Sequence, residues 1–272
     1  MKNTAPNHPW LFFALIYGLS SPFWLISTQI AHSGLPEHFP ITDIGATLTP
    51  IIAAVILRYH EAGVMGVREL FCRIFDYRRT KHKRSLVTAI VVFPLLYLIT
   101  YLAMGLLGYP VATQWNLSPA LVSVFFLFIV AATAEELGYS AYETDALQRR
   151  MTALNAALVM GPLWALWHLP SMIVMGQSSE LIAWGLFMTV AFRILSVWIY
   201  NNAGASAFAV IVMHVVANTS RSAYPGGRSG YELGEGSVAT SVIIVFTLIV
   251  VVLWRPSSLT NFLGRKRIKT NA

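Results

Sequence analysis

Two stretches of the chain show what class of protein it is. Residues 121–130 read LVSVFFLFIV and residues 242–254 read VIIVFTLIVVVLW, and neither stretch contains a charged side chain. Over all 272 residues, 56% are hydrophobic and only 11% are charged, against about 25% charged in a soluble globular domain. A soluble core could not cover so much apolar surface, so the composition indicates an integral membrane protein and excludes soluble enzymes.

The apolar stretches predict an all-α fold, a polytopic membrane bundle of about eight transmembrane helices. A helix rises about 1.5 Å per residue, so crossing a hydrocarbon layer about 30 Å thick takes about 20 residues. Such stretches occupy residues 10–31, 41–59, 86–108, 118–147, 152–175, 181–201, 205–220 and 238–254. We expect one integral membrane domain over residues 1–272, because the sequence shows no internal repeat.

The positive charges predict the orientation of this bundle, because cytoplasmic loops collect lysine and arginine. With both termini cytoplasmic, all 19 lysines and arginines lie on that side except Arg193, Arg221 and Arg228. Arg193 is predicted within the sixth helix, and the other two in outside loops. Contact with anionic lipid of the bilayer accounts for the net charge of +7, so nucleic acid is not expected as a partner.

Two basic segments are expected on the cytoplasmic side of the motif-bearing core, residues 118–220. Residues 59–85 combine basic side chains with apolar residues at helical spacing. This pattern predicts an amphipathic, basic loop that lies on the membrane surface or packs over the ends of the bundle. Residues 255–272 are predicted to form a basic cytoplasmic tail.

Ionisable side chains inside a membrane cost about 2.5–3.5 kcal/mol each, and they therefore indicate functional cavities. Glu135 and Glu136 follow a long apolar run, and His168 and His214 lie well inside predicted helices. Asn218 follows His214 by four residues and so shares its helix face. Adjacent glutamates point about 100° apart, so we expect one carboxylate to perform chemistry while the other supports it.

These residue types suit the hydrolysis of an amide bond. A carboxylate can activate water, and imidazole and carboxamide groups can stabilise the oxyanion that forms. Equally, Glu135, His168 and His214 could hold a divalent metal such as Zn²⁺, with one position open for a water nucleophile. The residues alone leave both alternatives open, a site that needs no cofactor and a metal site.

Three motifs resemble the signatures of the CPBP family of intramembrane proteases. They read AEELGYS at residues 134–140, GPLWALWHLP at 161–170 and HVVAN at 214–218. That family includes the CAAX prenyl endopeptidases and the Abi-type proteins of bacteriocin processing or self-immunity. The resemblance implies that Glu135 and His168 activate water, and that His214 and Asn218 bind the oxyanion.

One position departs from the first motif of that family, which usually reads Glu-Glu-x-x-x-Arg. Ser140 occupies the arginine position, one turn after Glu136, so the usual partner of that carboxylate is missing. We predict that Arg193 replaces it, because an unpaired carboxylate in a membrane is costly. Trp164 stands where phenylalanine is common in the second motif, and this aromatic exchange should leave His168 oriented.

The resemblance implies an intramembrane endopeptidase, of glutamate type or metallo type, in the bacterial cytoplasmic membrane. Its substrate would be a hydrophobic, lipidated or leader peptide, or a membrane-protein segment. Two other classes fit the sequence. A noncatalytic membrane scaffold or bacteriocin self-immunity protein would keep the fold, and Ser140 favours it. A proton-coupled transporter would use the buried carboxylates, but transporters usually show repeated halves.

Overall fold

The computed structural model describes residues 6–29, 41–80, 83–227 and 236–260, and within these ranges the regular structure is helical. The helices are α1 Pro9–Ser27, α2 Ile41–Thr47, α3 Thr49–Cys72, α4 Lys83–Leu106, α5 Ala120–Gly138, α6 Thr144–Gln148, α7 Ala153–Val174, α8 Ser179–Asn202, α9 Ala207–Ala223 and α10 Ser237–Leu253. A 3-10 helix, Arg73–Arg79, follows α3, and a π-helical turn, Tyr139–Glu143, joins α5 to α6.

The predicted polytopic helical bundle is confirmed. In the described part of the chain, six segments are long and apolar enough to cross a membrane. They are Pro9–Ser27, Thr42–Arg79, Lys83–Leu106, Ala120–Gln148, Ala153–Val174 and Ser179–Asn202. The other two predicted spans correspond to α9, which carries several polar residues, and to α10, an apolar helix of 17 residues. The chain is therefore an integral multi-pass membrane protein, and the cytoplasmic location of its termini stays a prediction.

The predicted basic loop at residues 59–85 continues the second span. α3 reaches Cys72 and is interrupted at Gly63, whose φ of 61° and ψ of −152° only glycine adopts readily. The 3-10 helix then covers residues 73–79. Contact of this segment with the membrane surface stays a prediction, and most of the predicted tail, residues 261–272, lies outside the described residues.

The fourth predicted helix changes its hydrogen bonding near its end. After α5 the backbone forms the π-helical turn. The hydroxyl of Thr144 donates a hydrogen bond to the carbonyl oxygen of Tyr139 at 2.8 Å. A π turn accommodates one extra residue and therefore rotates the following side chains relative to a regular helix. The sequence predicts an uninterrupted helix here, whereas in the structure this turn begins at Tyr139, three residues after Glu136.

Close helix packing fixes the end of α5. A Cβ atom on Gly138 would lie 2.7 Å from the carbonyl oxygen of Pro50 in α3, so the two backbones meet at a position that only glycine permits. α5 also packs against α9, and α7 packs along α8. These contacts bring the three motifs together, with Glu135 and Glu136 on the last turn of α5.

Candidate active site

The two adjacent glutamates lie in different surroundings. Glu135 lines a cavity of about 240 Å³ and accepts a hydrogen bond at Oε2 from the indole Nε1 of Trp164, at 3.0 Å. Glu136 is fully buried and is not among the residues that line this cavity. One carboxylate thus faces the cavity and the other does not, which agrees with the angular separation of neighbouring helix positions.

Glu136 is held by three side chains from three different helices or turns. Arg193 donates from Nη1 to Oε2 at 2.9 Å and from Nη2 to Oε1 at 3.2 Å. Ser140 donates to Oε2 at 2.5 Å, and Nδ1 of His214 lies 2.9 Å from Oε1. The two parallel bonds from arginine make a strong, directional pair, so the cation missing from position 140 is supplied from α8.

Aromatic rings cover the guanidinium of Arg193. Its Cζ atom lies 4.1 Å from the ring centroid of Trp164 and 4.9 Å from that of Tyr139. A cation over the face of an aromatic ring is attracted by the ring quadrupole, and this attraction grows when water is excluded. Trp164 therefore contacts both Glu135, through its indole nitrogen, and Arg193, through the face of its ring.

The contact with Glu136 sets the orientation of His214. A carboxylate paired with arginine accepts hydrogen bonds only, so Nδ1 of His214 carries the proton in this contact. Nε2 is then the ring nitrogen left for the cavity, which His214 also lines. Nε2 can donate to an oxyanion only when the ring carries both protons.

His168 reaches the same cavity from α7. Its ring packs edge-on against Trp164 and Trp167, with centroid distances of 5.1 and 4.8 Å. Trp167 is itself fixed, because its indole nitrogen donates to the hydroxyl of Ser20 at 2.8 Å. The second motif thus supplies two tryptophan rings that pack against the imidazole.

Asn218 completes the group of predicted site residues that line the cavity. It lies one turn after His214 on α9, and its Oδ1 accepts a hydrogen bond from Nη2 of Arg221 at 3.4 Å.

The prediction that Arg221 belongs to an outside loop is wrong. α9 extends to Ala223, three residues beyond the predicted end, and Arg221 is buried within it.

The remaining walls of the cavity are largely apolar. Apolar lining residues from α2, the start of α3, α5, α7 and α8 include Ile44, Leu48, Leu127, Phe128, Val130, Met172, Met188 and Phe192. Ile44 on α2, Leu48 just before α3, and Leu127 and Val130 on α5 are also exposed on the outer surface of the bundle. The cavity is therefore bounded on one side by side chains that face the surroundings of the bundle.

Sequence reasoning missed a polar pair in this cavity. Ser171 donates a hydrogen bond to Oδ2 of Asp43, and both side chains line the cavity. Two signals were available in the sequence: Asp43 is an acid at the start of an apolar span, and Ser171 follows His168 by three residues. These signals did not suffice, because the contact between α2 and α7 is a tertiary one.

The three predicted metal ligands do not assemble into a metal site. Among the described residues, no three His, Cys, Asp or Glu side chains form a group that could hold a metal ion. Each of the two contacted residues uses one polar atom elsewhere: Oε2 of Glu135 accepts from Trp164, and Nδ1 of His214 is directed to Glu136. The choice between a glutamate-type and a metallo-type site stays a prediction.

Comparisons with known proteins agree with the motifs. Residues 115–220 match the model of a family described as "Type II CAAX prenyl endopeptidase Rce1-like". The chain is also 25% identical over 234 residues to "CAAX prenyl protease 2" of Methanococcus maripaludis. This alignment covers 81% of this chain and 86% of the relative. All three motifs lie within residues 115–220, so the resemblance inferred from the sequence is confirmed.

Proposed function

We propose that this chain, whose motif-bearing core matches the Rce1-like CAAX prenyl endopeptidases, is a membrane endopeptidase that hydrolyses a peptide bond with a glutamate-activated water. One observation carries the proposal. Glu135, His168, His214 and Asn218 come from three helices, and all four side chains line one cavity. An arrangement that only stabilised the bundle would not need these groups to share an open space.

Glu135 is proposed as the general base, with His168 beside it. The Trp164 indole donates a hydrogen bond to Oε2 of Glu135. Oε1 is then left to accept a proton from water in the cavity. The water oxygen then bonds to the carbonyl carbon of the substrate, and its proton passes to Glu135. When the carbon–nitrogen bond breaks, the leaving amine takes up that proton, so the carboxylate is regenerated.

His214 and Asn218 are proposed to stabilise the oxyanion of the tetrahedral intermediate. Both lie on one face of α9 and line the cavity that contains Glu135. Glu136 and Arg193 do not touch the substrate in this scheme. Instead they orient His214 through Nδ1, so that Nε2 is the ring nitrogen left for the oxyanion.

The substrate is proposed to be a hydrophobic or lipidated peptide segment that reaches the cavity from the bilayer. Ile44 on α2, Leu48 just before α3, and Leu127 and Val130 on α5 line the cavity and are exposed to the outside of the bundle. An apolar chain could pass between these side chains without leaving an apolar environment. The name of the relative, a CAAX prenyl protease, supports a prenylated peptide as the first substrate to test.

The alternative of a noncatalytic scaffold or immunity protein was favoured by Ser140. That support is weakened, because Arg193 and Ser140 together satisfy the Glu136 carboxylate. The arrangement also requires no metal ligand, so we expect dialysis against EDTA to leave the hydrolytic rate unchanged. A rate that fell on dialysis and returned with Zn²⁺ would contradict the glutamate mechanism.

The test is hydrolysis by purified protein in liposomes, with a quenched fluorescent peptide that ends in S-farnesyl-Cys-Val-Ile-Met. We expect wild-type protein to cleave after the farnesyl-cysteine and Glu135→Gln to lose activity by about 10²- to 10⁴-fold. Glu143→Gln is the matched control, because Glu143 is also a buried glutamate, at the end of the π-helical turn, but lies outside the cavity. Equal cleavage by wild type and Glu135→Gln would contradict the proposal, and Glu135-dependent proton flux without cleavage would favour the transporter.

A further inference from the structure

Arg221 has no role in the scheme above, yet its position is unusual. It is buried in α9, one turn after Asn218, and its side chain lines the cavity. Among the described residues that line this cavity, Arg221 carries the permanent positive charge. A charged side chain within a helix bundle in a membrane is costly and marks a functional position by default.

The hydrogen bond from Arg221 to Asn218 has a direction that matters chemically. An asparagine side chain presents an acceptor oxygen on one side and an NH₂ donor on the other, and a rotation of 180° exchanges them. Arginine has donors only, so its contact with Asn218 is compatible with one of the two orientations. In that orientation Oδ1 faces Arg221 and the NH₂ group is left for the cavity.

Only this orientation suits an oxyanion site. An NH₂ group that faces the developing negative charge stabilises it, whereas a carbonyl oxygen in the same place repels it. Removal of one oxyanion donor typically lowers kcat by about 10²- to 10³-fold, so the orientation of the amide controls a large effect. The backbone of Asn218 is anchored separately, because Ser222 donates to its carbonyl oxygen at 3.2 Å.

From this geometry we infer that Arg221 is a positioning residue for the proposed hydrolysis, which holds the Asn218 carboxamide with its NH₂ group toward the substrate carbonyl. The inference rests on the proposed function, because it assigns Arg221 through the oxyanion role of Asn218. It also predicts a ranking of replacements. Lysine, which can only donate, should keep the amide orientation, whereas methionine should release it.

The kinetic test is a double-mutant cycle in liposomes with the farnesylated peptide. Arg221→Met should lower kcat by about 10-fold or more with KM within about 2-fold, and Arg221→Lys should recover most of kcat. In an Asn218→Ala background, Arg221→Met should change kcat by less than about 2-fold, because Arg221 acts through the missing amide. Ser222→Ala, which touches only the Asn218 backbone, is the matched control and should retain kcat. Equal losses in both backgrounds, or a loss confined to KM, would overturn the inference.

A second measurement does not depend on cleavage and separates this inference from the proposed function. In protein labelled with ¹⁵N-asparagine in nanodiscs, the Asn218 side-chain NH₂ signals are those missing from Asn218→Ala. We expect one sharp pair in wild type and Arg221→Lys, and shifted, broadened signals in Arg221→Met, because the amide then samples both orientations. Unchanged signals in Arg221→Met would overturn the inference even if the peptide is cleaved. If no peptide is cleaved but the signals change as expected, the proposed function fails and the positioning contact stands.

Discussion

Two arginine-centred clusters in this molecule look alike in chemistry and differ in surroundings. At one end of the bundle, Arg73 donates to Asp76 at 2.7 Å, to Asp145 at 3.3 Å and to the hydroxyl of Tyr200 at 2.7 Å. Near Glu135, Arg193 binds both oxygens of Glu136. We name them the Arg73 cluster and the Arg193 cluster, after these central residues.

The Arg73 cluster joins chain segments that meet at the ends of helices. Its Asp76 also accepts from the hydroxyl of Ser206 at 2.7 Å and from the backbone N–H of Phe208 at 3.1 Å, which caps the start of α9. The side chain of Asp145 is 35% exposed, and none of these residues lines the cavity. Such a cluster is typical of a contact that holds connecting segments in place.

The Arg193 cluster is fully buried and shares a residue with the cavity. Arg193 and Glu136 have no exposed surface, and His214 contacts Glu136 on one side and the cavity on the other. The comparison teaches that an ion pair alone does not identify a functional site. The distinguishing feature is a side chain that belongs both to the ion pair and to an open space.

The largest expected effect comes from Arg193→Met, which should impair stability and activity together. Breaking a buried ion pair by removing one partner typically costs about 3–5 kcal/mol, because the other charge is left unpaired. Unfolding by SDS in mixed micelles measures the stability, and cleavage of the farnesylated peptide measures the activity. The double variant Arg193→Met/Glu136→Leu should regain most of the stability but not the activity, since His214 loses its partner. Wild-type folding and activity in Arg193→Met would show that this arginine does not replace the missing one.

His168→Ala should reduce activity while the fold persists. The imidazole packs against two tryptophans and lines the same cavity as Glu135, the proposed general base, so its removal takes away a polar group of that cavity. We expect kcat to fall by about 10²- to 10⁴-fold. His60→Ala removes an exposed imidazole from α3 and should change neither kcat nor the SDS midpoint. Retention of more than a tenth of wild-type kcat in His168→Ala would remove His168 from the mechanism.

Arg73→Met tests the other side of the comparison. Two carboxylates, one hydroxyl and the backbone carbonyl oxygen of Ala205 lose their donor, and we expect the free energy of unfolding to fall by about 2 kcal/mol. The kcat of the folded protein should stay within about 2-fold of wild type, because the cluster does not reach the cavity. A tenfold fall in kcat without a change in stability would mean that the two clusters do not differ in the way described.

Ser140→Ala should have the smallest effect. It removes one hydrogen bond to a charged group, worth about 1.5 kcal/mol, while Arg193 and His214 continue to hold Glu136. Ser196→Ala is a suitable control, because Ser196 is equally buried but donates to a backbone carbonyl of its own helix at 2.9 Å. We expect kcat of Ser140→Ala within about 5-fold of wild type. A loss as large as that of Arg193→Met would make the serine, and not the arginine, the essential partner.

Much of this arrangement is predictable from the sequence. Helix positions follow from the length of the apolar stretches, and the different surroundings of Glu135 and Glu136 follow from the 100° between neighbouring residues. Arg193 could be proposed as a partner of Glu136 because the cost of an unpaired carboxylate in a membrane requires a cation nearby. These features depend on local periodicity and on solvation, which a sequence expresses directly.

Other features depend on tertiary contacts and were not predictable. The π-helical turn after Gly138 lies where α5 meets Pro50 of α3, a contact between residues far apart in the sequence. Because the end of α9 is polar, the sequence predicts that the helix ends before Arg221. In the structure α9 continues to Ala223. The contact between His214 and Glu136 joins residues 78 positions apart, and no spacing rule predicts it.

The most direct test of the proposed mechanism is a structure with a tetrahedral analogue, the farnesylated peptide in which a phosphinate replaces the scissile amide. We predict one phosphinate oxygen within about 3 Å of Asn218 Nδ2 and His214 Nε2, and the other within about 3 Å of the Glu135 carboxylate. A phosphinate bound outside the cavity, or with neither oxygen within hydrogen-bond reach of Glu135, would contradict it.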